Sequence, residues 1–539
     1  MCLHGLALSQ CLWFGVSSAT FKNSTIEMSE FGNSAAAYPS VEDLLQAILE
    51  ARQRVYEIAR PTPLHRLNGN DRIFIKREDL SPIHAYKWRG AYNRMSLLSG
   101  KEKAEGVVCA SAGNHAQGVA LAAKALKTSA EIFMPRSTPL MKQEAVRRLG
   151  GDSVNVRLEG DSYDDASQAA HKYSEKEKRT FIHPYDDLAV IAGQGTLADE
   201  VVMSGEGDFE IAYLQIGGGG MAAGVACWLK RYYPSIEIVG VEGEDQASMA
   251  AAVAKGSPVK LDYVDVFCDG TAVKQAGSLT SHYCCQFIDR FITVTNAEVC
   301  AAIELLWESQ RLIPEPAGAM GLAGWLKEKE SVQGKQALSI ICGSNMDFGQ
   351  LPYIVRHAGI GSAHRRYYRF RIPEKAGALL HLLETFLESV NIIEFQHGLS
   401  NLTEATPVIG IDAMPQQFSE LEERLEQLGI TFEEATGDED VEFRIIPYDA
   451  SLIEYPCFIK IEFPERAGAL HDFLLNNCQD ASIVYFNYSY TGERVGRALI
   501  GFDFQSEELR TSFRDGVFNR ETILRDVREI TPNALARIV

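Results

Sequence analysis

No run of eighteen apolar residues occurs in this 539-residue chain, so no segment is long enough to cross a bilayer as a helix. Basic excess is also missing. The 52 Lys and Arg residues face 72 Asp and Glu for a net charge of −20, and no basic run offsets it, which argues against nucleic acid as a partner. None of the 11 cysteines stands in a Cys-x-x-Cys pair. Their odd count, with one vicinal pair at Cys284-Cys285, reads as reduced thiols of a cytoplasmic protein. Metal-ligand spacing is absent around His115, His183 and Cys284-Cys285, so these read as core or surface residues and not as a metal site. The apolar stretch Leu6–Val16 lacks the positive flank of a signal sequence, because no Lys or Arg precedes Lys22, and an Arg-rich transit pattern is missing too. Residues 1–40 therefore read as a disordered leader or an upstream start, with Met28 as the better beginning.

What the chain does contain is ordered. Apolar residues make up 46% and charged residues 23%, the balance of a globular protein, and the length allows three or four domains with sizeable cores. Helical periodicity over 41–59 (Val41, Leu44, Leu45, Ile48, Val55) leads into the turn Pro61-Thr62-Pro63-Leu64. From there to about Tyr353, short apolar strands alternate with helical stretches, at 106–110, 130–134, 211–216, 236–241 and 337–342. That alternation predicts a parallel α/β architecture with both sheet faces covered.

Four segments carry candidate chemistry. Lys76-Arg77-Glu78-Asp79 ends a strand, Pro82 breaks the chain, and Ala85 to Met95 reads as the start of a helix with Lys87 in its first turn. Flanked by Tyr86 and Trp88, Lys87 is a candidate for a desolvated, nucleophilic amine, although a snorkelling surface lysine has the same local sequence. Ser111-Ala112-Gly113-Asn114-His115 follows a strand and opens a helix, a geometry that aims backbone N–H groups at an anion; a plain N-capped helix fits it equally. Gly217-Gly218-Gly219-Gly220-Met221 lies between a strand and a helix and offers a nest of amides to a phosphate, or else is only a flexible turn. It is neither a Lys-bearing P-loop nor a spaced Gly-x-Gly-x-x-Gly. Ile340-Ile341-Cys342-Gly343-Ser344-Asn345 ends the last of these strands.

The final third repeats itself. Ile372-Pro373-Glu374-Lys375-Ala376-Gly377-Ala378-Leu379 returns 91 residues later as Phe463-Pro464-Glu465-Arg466-Ala467-Gly468-Ala469-Leu470. The same offset relates Asn391-Ile392-Ile393 to Ser482-Ile483-Val484, and Ile409-Gly410-Ile411-Asp412 to Ile500-Gly501-Phe502-Asp503. Each unit reads strand, turn, helix, two strands and helix, a ferredoxin-like βαββαβ order. The loops Pro373–Gly377 and Pro464–Gly468 are the expected effector sites, unless the repeats serve only assembly. The polar, glycine-bearing stretch 356–366 reads as the linker.

Taken together, Thr62-Pro63-Leu64, Lys76-Arg77-Glu78-Asp79, Tyr86-Lys87-Trp88-Arg89-Gly90-Ala91, Ser111 to His115, the tetraglycine, Asp269-Gly270-Thr271, Pro314-Glu315-Pro316-Ala317-Gly318-Ala319 and Cys342-Gly343 resemble the tryptophan-synthase-like (fold type II) pyridoxal phosphate enzymes. The match is closest to the threonine dehydratases, and the double repeat to their long biosynthetic form. The resemblance implies a two-lobed, parallel-sheet catalytic domain over 41–360. Two α+β, ferredoxin-like (ACT-like) regulatory domains would follow over 367–448 and 456–539. It implies that Lys87, beside Tyr86, carries pyridoxal 5'-phosphate and, once freed, removes the substrate α-proton. Ser111, Ala112, Gly113, Asn114 and His115 would receive the substrate carboxylate, with Asn114 also bonding the cofactor ring hydroxyl. Gly217–Gly220 and Met221 would hold the phosphate. Cys342 would stand beside the pyridine nitrogen where Ser is usual, a neutral weak partner much as Ser is, and this departure leaves the exact subfamily open; Ala85, where Ser is commoner, is a conservative departure. The implied reaction takes L-threonine, and also L-serine, to an oxo acid and ammonia, with isoleucine and valine as effectors of a cytoplasmic homotetramer. Serine dehydratases, serine racemases and cysteine-synthase-like enzymes share the lysine, but the Lys87–Ala91 context and the double repeat speak against them. An amino-acid sensor with an idle scaffold would have no need of intact Lys87, Asn114 and tetraglycine.

Overall fold

The periodic segment after Ser40 becomes the helix Val41–Val55, started by a reciprocal capping box in which Ser40 and Asp43 each bond the other's backbone N–H. Leu44, Ile48, Ala51 and Val55 form its buried stripe. The computed structural model describes residues 38–375, 377–386, 390–464, 481–489, 495–519 and 526–530. The leader expected over 1–40 falls almost wholly outside them, as does most of the second repeat's turn, Pro464–Gly468.

The chain divides into two compact units. One comprises the described residues up to Thr295 together with Leu305–Asp347; the other comprises Asn296–Glu304 and the described residues from Phe348 onward. The first unit holds two sheets. The larger runs in the order Leu64–Leu67, Asn70–Arg77, Ala337–Ile341, Ile211–Gln215, Glu237–Gly243, Arg290–Val294. Only its edge hairpin, Leu64–Leu67 on Asn70–Arg77, is antiparallel; the other pairings are parallel. The smaller sheet, Val154–Leu158, Ala130–Met134, Val107–Ala110, Thr180–Phe181, is parallel throughout. Continuous apolar strands such as Val107–Ala110 and Ala337–Ile341 are buried at every position, as a sheet covered on both faces requires.

The strand that ends at Arg77 delivers Lys87 to the C-terminal ends of the larger sheet. Between them, His84 takes a left-handed backbone (φ 56°), and Ala85 bridges to Gly343 beyond the end of the Ala337–Ile341 strand. This extended bridge delays the helix, which spans Trp88–Ser96 with Lys87 as its cap, so it begins three residues later than periodicity suggested.

The described residues of the second unit form a nine-stranded sheet in which Asn391–Gly398 of the first repeat pairs antiparallel with Ala481–Ser489 of the second. Both repeats therefore share one core, where the rings of Phe395 and Phe486 lie 4.5 Å apart. Helices Ala378–Phe386 and Pro415–Gln427 follow the βαββαβ order of the first repeat. The expected linker is instead ordered: 356–366 is the end of the helix Leu351–Gly361 and the start of the strand Arg365–Pro373. Ile354 and Ala358 are buried one helical turn apart. The arginines read as linker polarity cap neighbouring backbone, Arg356 Nη1 donating to Glu442 O (2.6 Å) and Arg365 Nη1 to Arg356 O (2.9 Å).

Candidate active site

Lys87 reaches the cavity because a rigid frame holds the backbone behind it. Arg89, two residues on, is fully buried and donates to Glu78 (2.9 and 3.0 Å) and to Glu200 (2.6 and 3.0 Å). Lys76 also pairs with Glu200, and Thr62 closes the set by donating from N to Glu200 (2.9 Å) and from Oγ1 to Glu78. Burial alone would lower the Arg89 guanidinium and raise the Glu200 carboxyl. Their mutual pairing outweighs it, holding Arg89 above and Glu200 below the ordinary value. Gly118 completes the frame. A Cβ there would stand 3.0 Å from Trp88 Cα and 3.1 Å from Lys87 O, so glycine lets the helix Asn114–Leu126 close against the Lys87 backbone without displacing it by a few tenths of an ångström.

The cavity is a cleft of about 560 Å³ not filled by atoms, part of it open to solvent. Lys87, Tyr86, Asn114, Gly217–Gly220, Met221 and Cys342 all line it. Lys87 Nζ donates to Gly270 O at 3.3 Å. Gly219 caps the helix Gly220–Tyr232 with φ 88°, and Cβ atoms at Gly218 and Gly219 would lie 2.3 Å from the Tyr185 ring and from Met249 Cε. The first intrahelical bond, Ala223 N to Gly219 O, comes after the amides of Gly220–Ala222, and the first turn carries no acidic residue. An amide nest without side chains or negative charge results, which suits a phosphate.

In the same cavity wall, Cys342 is 4% exposed and its thiol, pushed up to about 12 by burial and then by Glu315, is neutral. Beside it Gln215 donates Nε2 to Ile340 O (2.7 Å), while its buried Oε1 has no hydrogen-bond partner among the described residues. Asn114 donates Nδ2 to Glu315 Oε1 (2.8 Å) and accepts from Asn345 Nδ2 (2.8 Å). Amine, amide nest, orphaned amide oxygen and neutral thiol around one cavity fit pyridoxal phosphate.

The residues 55–343 match the family of pyridoxal-phosphate dependent enzymes, and 356–445 and 453–531 match the C-terminal regulatory domain of threonine dehydratase. Biosynthetic L-threonine dehydratase of Haemophilus influenzae is 37% identical over 91% of this chain and 96% of its own. The Escherichia coli protein of the same name is 35% identical over 87% and 92%. The chain belongs to the biosynthetic threonine dehydratase family. In three dimensions the chain is similar to the processed form of threonine deaminase isoform 2 from Solanum lycopersicum, 40% identical with a TM-score of 0.57, covering 60% of this chain and 95% of that one. Maize serine racemase follows at 28% identity and TM-score 0.53, over 59% and 98%.

Not every residue that the family pattern suggested reaches the cavity wall. Of the segment Ser111, Ala112, Gly113, Asn114 and His115, only Asn114 lines it. Ser111, Ala112 and Gly113 are half-buried at the helix entry, whereas His115 turns into the core, its Nε2 against Ile182 O at 2.9 Å. Burial pushes that imidazole down to about 3, so it stays neutral. Sequence reading gave no role to Tyr185, Gln194, Gln215, Thr271 or Glu315, which also form the wall. Thr271 and Glu315 sit in segments that already matched the family. Tyr185 and the two glutamines carry no local signal, being ordinary residues until the fold brings them in.

Proposed function

We infer that this protein is a pyridoxal-phosphate-dependent threonine dehydratase that converts L-threonine to 2-oxobutanoate and ammonia. It would act on L-serine in the same way and be feedback-regulated through its C-terminal repeat. The observation that carries the reading is Lys87 Nζ in one cavity with the tetraglycine nest, Asn114 and the neutral Cys342. When bound, pyridoxal phosphate supplies the electron sink that makes the α-proton of an amino acid removable. Lys87 would carry that group and then act as the base for the α-proton. The amides of Gly217–Met221 would hold its phosphate, and Asn114 its ring hydroxyl. The Ser111–Gly113 turn at the helix entry would orient the substrate carboxylate. Cys342, as a neutral thiol, puts no fixed negative charge at the ring nitrogen.

The matched regulatory segments support an amino-acid effector site in the second unit, for which isoleucine, opposed by valine, is the reading we favour; a cytoplasmic homotetramer completes it. Oxo-acid release from threonine and serine, with and without isoleucine, tests the whole. The purified protein should be yellow, bleach on borohydride reduction, and yield a labelled peptide containing Lys87. A label on another lysine, or no oxo acid from either substrate, overturns the reading.

A further inference from the structure

Elimination of a β-hydroxyl requires two proton transfers, one from the α-carbon and one to the departing oxygen, because hydroxide leaves poorly without a proton. Lys87 accounts for the first. We propose that Glu315 performs the second: its carboxyl gives a proton to the β-oxygen as the Cβ–O bond breaks and water leaves. The electron pair of the Cα–H bond, whose proton goes to Lys87 Nζ, becomes the new Cα=Cβ bond. The proposal rests on the dehydratase reading above and names a catalytic residue within it.

The geometry sets base and acid on either side of one glycine. Lys87 Nζ donates to Gly270 O at 3.3 Å, and a Cβ built on Gly270 would stand 3.4 Å from Glu315 Oε1. Glu315 lines the same cavity yet is only 3% exposed, and no Lys or Arg among the described residues forms an ion pair with it. Its fixed partner is neutral: Asn114 Nδ2 donates to Oε1 at 2.8 Å, and Asn345 in turn donates to Asn114 at 2.8 Å. With Oε1 so occupied, Oε2 is the oxygen left for a proton. The main chain is equally fixed, Glu315 N donating to Gly343 O (3.1 Å) and Gly318 N to Glu315 O (2.7 Å). Gly343 makes room, since a Cβ there would fall 2.5 Å from Oε1.

A carboxyl buried without a cation retains its proton to higher pH. Burial, followed by the charge of Asp269, pushes Glu315 up to about 7, against the opposing influence of Lys87 and Asn114. The other acids of the wall move away from neutrality: burial raises the phenols of Tyr86 and Tyr185 and the Cys342 thiol. A group matched to the working pH is the better proton donor.

The test compares threonine with L-β-chloroalanine, whose chloride leaves without being protonated. Glu315→Gln should lower kcat/KM for threonine by about 10²–10⁴-fold, the usual worth of a positioned acid, and leave that for β-chloroalanine nearly unchanged. The ratio of the two is the readout, because loss of folded or cofactor-loaded protein cancels from it. In D2O, threonine recovered from the variant should carry deuterium at the α-carbon. An unchanged ratio, or unlabelled threonine, overturns the proposal. Should Glu315→Gln not fold, Glu315→Asp is judged by the same ratio. A parent that is silent on threonine but active on serine overturns the substrate reading alone, and the serine-to-chloroalanine ratio then decides Glu315. A parent silent on all three compounds overturns both.

Discussion

Two sets of buried charge surround the segment that carries Lys87, and they follow opposite rules. Lys76, Glu78, Arg89 and Glu200 pair two cations with two anions, and every member is hydrogen-bonded. Glu315, almost as deeply buried, has an amide for its partner, while the nearby Asp269 is paired with Lys142. A charge pinned on all sides cannot change its protonation state cheaply, so the first set can only be a frame. A carboxyl without a cation can exchange a proton, so the second can do chemistry. The comparison separates what positions Lys87 from what works beside it.

The sharpest way to break that comparison is to remove one member from each side. Lys87→Ala should cost at least about 10²–10⁴-fold in turnover, the range for a positioned proton carrier. Its unfolding midpoint in urea should stay near that of the parent, because Lys87 is only part-buried and its hydrogen bond is long at 3.3 Å. Arg89→Met should do the reverse in kind. It leaves Glu78 without a cation in the core and Glu200 with Lys76 alone, a loss of about 3–5 kcal/mol of stability for a broken buried pair, visible as a lower urea midpoint. If Arg89→Met unfolds like the parent, the frame is not what holds the Lys87 helix.

The second unit sharpens the contrast with a buried base. His397, 4% exposed, sets Nε2 against Ile483 O (3.1 Å), has no partner for Nδ1 among the described residues, and is pushed by burial from 6.5 to about 4. A base depressed in the folded state adds stability that is present above pH 6.5 and is lost as the pH falls through about 4. At about 1.4 kcal/mol per tenfold change, the loss approaches about 3 kcal/mol. Glu374, 3.9 Å away and pushed up to about 7, acts in the opposite direction and stays in place in both proteins. His397→Phe should therefore flatten the acid limb of the parent's stability, measured by urea unfolding between pH 7 and 4. Tyr488, buried at the corresponding place of the second repeat, shows that the fold accepts a large aromatic there. An acid limb unchanged in the variant sinks the assignment.

Local pattern was enough to read the parallel sheets in the sequence, since strand periods alternate with breakers and helical runs; at the tetraglycine and at Lys87 it left two readings open, and only the resemblance to a family chose between them. The repeat was legible because the same offset recurs in side chains with the same task. Gly410 leaves room for the Tyr367 ring, 2.8 Å from where its Cβ would be, and Gly501 does so for Phe458 at 2.5 Å. What escaped depends on tertiary pairing. The stretch 356–366 looked like a linker because its arginines are polar, and only the fold supplies the carbonyls that they cap. His115 stood in a site motif, yet the helix register turns it towards Ile182. Arg89 and Glu200 are far apart in sequence and meet only when two helices cross, so no spacing rule could announce the frame.

The smallest expected effect belongs to Cys342, and for that reason it tests the cavity most finely. Its thiol is neutral across the physiological range, donates to Ala317 O at 3.5 Å and also meets the side chain of Gln215. Serine is also neutral and a little smaller, so Cys342→Ser exchanges one weak donor for another. The change in kcat/KM for threonine should stay within about fivefold, the size of a single neutral hydrogen bond. Cys342→Asp is different in kind, because it places a second carboxyl near the buried Glu315. Two acids so close cannot both ionise, and Glu315 would be driven further up. Elimination should then slow and the visible absorbance of the bound cofactor should shift. If Cys342→Ser and Cys342→Asp both match the parent in rate and spectrum, the Cys342 thiol does not face the cofactor ring.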